Sequence, residues 1–171
     1  MNCCDTGSAN ETAHLQPSEI AEEVLRENHH CRSCGRKGKP VSRKTVLLMV
    51  KPEFLAQAMT GRYTFCLAPD CPIVYFQHDG NSQFTVAGLR IRVGLKVKDD
   101  PVPLCYCFGF DESHIRDEIT QSGDTTIPGK VSHLIGEGLC ACESRNPSGM
   151  CCLGEVKRAV ERLKQQVLET T

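Results

Sequence analysis

Ten of the twelve cysteines in this 171-residue chain fall into two clusters, and no other feature limits its folding options as strongly. Cys31, Cys34, Cys66 and Cys71 make the first; Cys105, Cys107, Cys140, Cys142, Cys151 and Cys152 make the second. Beside them stand six Phe, three Tyr and no Trp, too few aromatics for a large core. Small units short of apolar surface recruit disulfides or metals. Residues 1–16 are polar and show no basic start leading into an apolar stretch, so they do not read as a secretory signal. The expected compartment is therefore a reducing cytoplasm. Structural disulfides are rare there, and clustered cysteines are metal ligands or redox groups.

Charge and motifs narrow the function. Twenty basic and 21 acidic residues give a net charge of −1, which argues against a broad nucleic-acid surface. The basic run Arg32, Arg36, Lys37, Lys39, Arg43 and Lys44 reads as a solvated face. No apolar stretch approaches the roughly 18 residues of a membrane span. Gly80, Gly88 and Gly94 do not form G-x-G-x-x-G, and no P-loop is present. No Ser–His–Asp arrangement suggests itself, and His78, His114 and His133 read as surface or packing residues. A self-contained enzyme, a nucleic-acid partner and a membrane partner are not expected.

The pattern along the chain predicts an α+β fold with a small zinc-stabilised β-rich half followed by a helical half. Residues 1–17 read as a polar tail carrying Cys3 and Cys4, 18–98 as the β-rich unit and 99–171 as the helical unit. Ser18 opens a predicted helix over 19–27. A basic loop runs to Lys44. Residues 45–50 (TVLLMV) read as a buried strand. Pro52 opens a helix over 53–59. Strands are predicted over 62–66, 72–77, 83–86 and 89–93. An extended connector over 94–104 carries the boundary. Asp111 caps a helix to about Gln121, Pro128 opens another, and a last helix spans about 153–168 with Leu153, Val156, Val160, Leu163 and Val167 on one stripe.

In the first cluster, Cys31-x-x-Cys34 on a tight turn can grip one side of a tetrahedral ion, and Cys66-x4-Cys71 can grip the other. Four thiolates leave no open position, so the site is expected to be structural zinc. An accidental C-x-x-C with two core cysteines, or ligation by His29 or His30, remains open on spacing alone. In the second cluster, cysteines at helix starts and in loops suit a [2Fe–2S] cluster, since helix N-termini favour anionic sulfur. Backbone N–H groups of residues 146–149 are expected to face the sulfurs. Spacing alone leaves a second zinc knot open, and it separates neither Cys140 from Cys142 nor Cys151 from Cys152.

Cys105-Tyr-Cys107-Phe with the following helix resembles the opening of bacterioferritin-associated ferredoxin domains. The run Cys142-Glu-Ser-Arg-Asn-Pro-Ser-Gly-Met-Cys151-Cys152 resembles the N-terminal half of the CopZ copper chaperones, a family that pairs zinc with a [2Fe–2S] cluster. Tyr63-Thr-Phe-Cys66, Cys71-Pro-Ile-Val-Tyr75-Phe76 and Val93-Gly94-Leu95-Lys96 resemble it too. The resemblance implies cluster ligands Cys105, Cys107, Cys142 and Cys152, with Cys140 and Cys151 as neighbours, and zinc at Cys31, Cys34, Cys66 and Cys71. It also implies a one-electron redox role beside a metal-handling protein or copper chaperone domain. The family's copper-binding Met-x-Cys-x-x-Cys segment does not occur in these residues, so copper transfer by this chain itself is not expected. Soft-metal capture or sensing by Cys140 and Cys151 is the alternative reading.

Overall fold

A computed structural model describes residues 29–169. The expectations for the 1–17 tail, for Cys3 and Cys4 and for the 19–27 helix lie outside the described residues.

The first half is an antiparallel sheet in the order β1-β2-β3-β4, formed by β1 (Lys39–Val41), β2 (Tyr63–Phe65), β3 (Ile73–Gln77) and β4 (Gln83–Thr85). Strands β2 and β3 are buried almost throughout, as their aromatic and β-branched residues require. Between β1 and β2 lie helix α1 (Arg43–Met49), a 3-10 turn (Pro52–Phe54) and the short α2 (Leu55–Ala58). Val46, Met49, Val50, Tyr63, Phe65, Val74, Tyr75 and Phe84 form one apolar core.

Three sequence expectations change here. Residues 45–50 are not a strand. Ser42 accepts a hydrogen bond from the Thr45 amide and starts α1, which buries Thr45, Val46 and Met49. A short apolar run suits a buried helix as well as a strand, and the N-cap decides between them. Residues 89–93 contribute a single bridge, Val50 with Leu89, instead of a fifth strand. The Arg90 amide donates to Met49, and Tyr106 donates to the Arg92 carbonyl, so this backbone is tied to a helix end and a side chain. The basic loop before Lys44 contains β1, and Lys39-Pro40-Val41 carries no sequence signal of its pairing with β2.

The second half carries a two-stranded sheet, β5 (Pro103–Cys105) with β6 (Phe110–Asp111), then helices α3 (Glu112–Ser122), α4 (Ile127–Gly136), α5 (Cys142–Arg145) and α6 (Leu153–Glu169). Asp111 caps α3 by accepting from the Ser113 and His114 amides. Ile115, Ile119, Ile127, Val131, Val156, Ala159 and Leu163 meet in a second core that also encloses Cys105 and Cys152. Among the described residues, no helix is long and apolar enough to cross a membrane.

Candidate metal centre

Local backbone geometry aims the first four thiols at one point. Residues 31–36 form a knuckle in which the Gly35 amide donates to Cys31 O at 2.7 Å and the Cys31 amide donates to Arg36 O at 2.9 Å. Gly35 closes it with φ of +70°, a conformation that suits glycine. Cys66 ends β2 and Cys71 precedes β3; the Cys66 amide donates to Val74 O and the Cys71 amide to Ala68 O. The four sulfurs all lie within 4.8 Å of one another. Cys31 and Cys71 Sγ are 3.9 Å apart, and Cys34 and Cys66 Sγ are 3.7 Å apart. Zinc–sulfur bonds of about 2.3 Å in a tetrahedron place sulfurs about 3.8 Å apart, so this donor set fits zinc.

Cys31, Cys66 and Cys71 are buried against Ala68, Ile73 and Phe76, while Cys34 is exposed. Burial pushes the Cys66 thiol up to about 12, opposed by the Ala68 N–H and the Lys96 ammonium. Burial also raises Cys71. For Cys34, burial is outweighed by the Arg36 N–H and the neighbouring thiols, which lower it. His29 does not join the group: its Nδ1 lies 3.2 Å from His78 Nε2 and 3.3 Å from Thr64 Oγ1.

The second cysteine group is arranged differently. Cys107 and Cys142 Sγ are 3.8 Å apart, and Cys105 and Cys152 are buried together in the helical core. The Cys152 thiol pulls Cys105 down to about 6, aided by the N–H groups of Phe108 and Cys107 against the effect of burial. Cys152 is pushed far up, first by Cys105 and then by burial. Burial raises Cys142 to about 12, opposed by the Cys152 N–H. The Ala141 amide donates to Cys107 Sγ at 3.3 Å. Among the described residues, only the first group brings three or more such ligand atoms all within 4.8 Å of one another. The second group thus holds one close pair, Cys107 with Cys142, beside the buried Cys105 and Cys152, and is not one tetrahedral knot. Cys140 is half-buried and Cys151 exposed.

The 146–149 loop does not aim its amides at sulfur. The Asn146 amide donates to Cys142 O, Ser148 to the Asn146 side chain and Gly149 to Asn146 O. Asn146 satisfies the loop internally, and the amide seen donating to a sulfur of this group is that of Ala141. Thr45 and Tyr75, which reach this segment from the first half, carried no signal in the sequence.

Comparisons with known proteins meet this geometry. Residues 28–90 match the CopZ family described as a zinc binding domain. The copper chaperone CopZ of Archaeoglobus fulgidus is 32% identical over 129 residues, covering 75% of this chain and 60% of that protein. The X-ray structure of the Archaeoglobus fulgidus CopZ N-terminal domain is 30% identical, with a TM-score of 0.63, over 75% of this chain and 95% of that one. The chain belongs to the CopZ N-terminal-domain family. It carries that family's zinc-binding domain, with a four-cysteine group able to hold the metal. It spans 60% of the length of the curated CopZ it matches.

Proposed function

We propose that this chain is a one-electron redox module for metal handling, with structural zinc at Cys31, Cys34, Cys66 and Cys71 and a [2Fe–2S] cluster at Cys105, Cys107, Cys142 and Cys152. The observation that carries the reading is the paired arrangement of the second cysteine group. A two-iron cluster takes two thiolates at each iron, whereas a second zinc would draw four sulfurs to one centre. Cys107 and Cys142, 3.8 Å apart, supply one such pair, and Cys105 and Cys152, buried together in the helical core, are available as the other. The division near residues 98 and 99 into a zinc unit and a cluster unit belongs to the same reading, supported by the two separate apolar cores.

When bound, the cluster supplies one-electron chemistry at low potential, near about −400 mV or modestly above. The chain's own contribution is to exclude water and neutralise charge. Cys105 and Cys152 sit inside the helical core, and the Ala141 N–H donates to Cys107 Sγ. Cys152 immediately precedes α6, whose N-terminal end carries partial positive charge. The likeness to a copper chaperone supports a metal-handling partner, such as a copper chaperone domain whose copper and thiols are kept reduced. The exposed thiol of Cys151 suits a reducing cytoplasm.

The reading is tested with Cu(II). Dithionite-reduced protein, freed of excess reductant, is expected to lose its paramagnetic signal on addition of Cu(II), with one Cu(I) formed for each electron given up. Reduced protein that keeps its signal in the presence of Cu(II) would contradict the redox role. Tight copper binding without electron transfer, lost when Cys140 and Cys151 are replaced, would favour soft-metal capture instead.

A further inference from the structure

The two sulfur pairs are held by different parts of the fold. Cys105 and Cys152 are packed into the helical core. The segment from Cys142 to Met150 is hung from the zinc half. Thr45 Oγ1 donates to Glu143 O at 2.6 Å across 98 residues of chain, and Tyr75 Oη donates to Pro147 O at 2.6 Å across 72. Both donors are fully buried. A Cβ built on Gly149 would lie 3.4 Å from Val41 and 3.5 Å from Thr45, so the loop packs closely on β1 and α1. Within the loop, the Asn146 side chain bridges Ser148 and Met150, making it a stiff unit. Arg145 then donates to Cys107 O at 3.1 Å, carrying the same attachment to the second member of that pair.

We infer that Thr45 and Tyr75 are positioning residues which, from within the zinc half, set the placement of Cys142 relative to the Cys105–Cys152 pair. The inference rests on the [2Fe–2S] reading for its consequence but not for its geometry. A buried hydroxyl whose partner is removed, or a buried carbonyl left without its donor, is costly, so both anchors are held against loop displacement. Slack at either anchor lets Cys142 drift from the other pair. That admits water to the iron and alters the field around it, while the four zinc thiolates keep their own hydrogen bonds.

Tyr75→Phe and Thr45→Val remove one hydroxyl each with little change in volume. Each is expected to release iron to a ferrous chelator about tenfold faster, the effect of the one buried hydrogen bond each makes to the segment; Thr45→Val also removes the contact of the hydroxyl with Ser42 Oγ. Each should also displace the midpoint potential and the g-values of the reduced protein, readouts that a general loss of stability does not move. Thr45→Ser keeps the hydroxyl and is expected to match the wild type, and zinc content should stay at one per chain in all three. Unchanged iron release, potential and g-values in both Tyr75→Phe and Thr45→Val would overturn the inference. If wild-type protein takes up no cluster, it is the functional reading that fails. The anchors are then read by amide exchange over residues 143–149 in zinc-loaded, iron-free protein. Exchange about tenfold faster in both variants is expected, and unaltered exchange would again overturn the inference.

Discussion

Removing zinc with a strong chelator, or replacing Cys66 with Ser, is expected to unfold residues 31–93 while α3, α4 and α6 persist. The cause lies in how little apolar material surrounds the first cysteine group. Its neighbours are Ala68, Ile73 and Phe76, and three of its four thiols are buried. Without an ion, four thiols within 4.8 Å of one another have only weak S–H···S contacts, such as those of 3.9 and 3.7 Å, to hold them. Structural zinc binding in small domains is worth on the order of 10–16 kcal/mol at neutral pH, and that binding energy is folding energy. Strands β2 and β3 are continuous with Cys66 and Cys71, so disorder at the knot passes into the sheet. Tyr75 lies in β3, so iron should follow zinc out of the protein. Amide-resolved spectra before and after chelation check this. Zinc-free protein that keeps native dispersion over 31–93 would show that the aromatic core alone holds this half.

A comparably large effect is expected at the second group. Cys105→Ser, Cys107→Ser, Cys142→Ser and Cys152→Ser should each strip the iron or reduce it severely, since a serine oxygen replaces the soft thiolate that iron prefers. Cys140→Ser and Cys151→Ser should leave the visible absorption nearly intact. The distinction follows the CopZ resemblance and has partial support in the geometry. Cys142 Sγ lies 3.8 Å from Cys107 Sγ, and Cys152 is buried against Cys105, whereas Cys151 is turned to solvent. Loss of colour in Cys140→Ser with retention in Cys142→Ser would reverse the assignment within that pair.

Much of this architecture was legible because its signals are local. The C-x-x-C knuckle, the Asp111 cap and the apolar stripe of α6 depend on residues within one or two turns of each other. Residues 45–50 suit a strand as well as a helix because a six-residue apolar run has no diagnostic period, and only Ser42 reveals α1. β1 escaped notice because Lys39 and Pro40 owe their strand geometry to pairing with β2, a tertiary effect. At the metal centre, the first four cysteines could be grouped from spacing, but the choice among the six later ones could not. Cys142 differs from Cys140 through α5 and its attachment to the first half. Thr45 and Tyr75 supply that attachment over chain separations of 98 and 72 residues, with no motif to announce them.

On the proposed reading, one chain holds two unlike metal centres, one structural and one redox-active. Anaerobic purification followed by metal analysis and electron paramagnetic resonance tests it most directly. The account predicts one zinc and two irons per chain, acid-labile sulfide equal to the iron, and a half-spin signal that appears only on reduction. Zinc at two per chain, with no iron, no sulfide and no signal in the reduced sample, would contradict it.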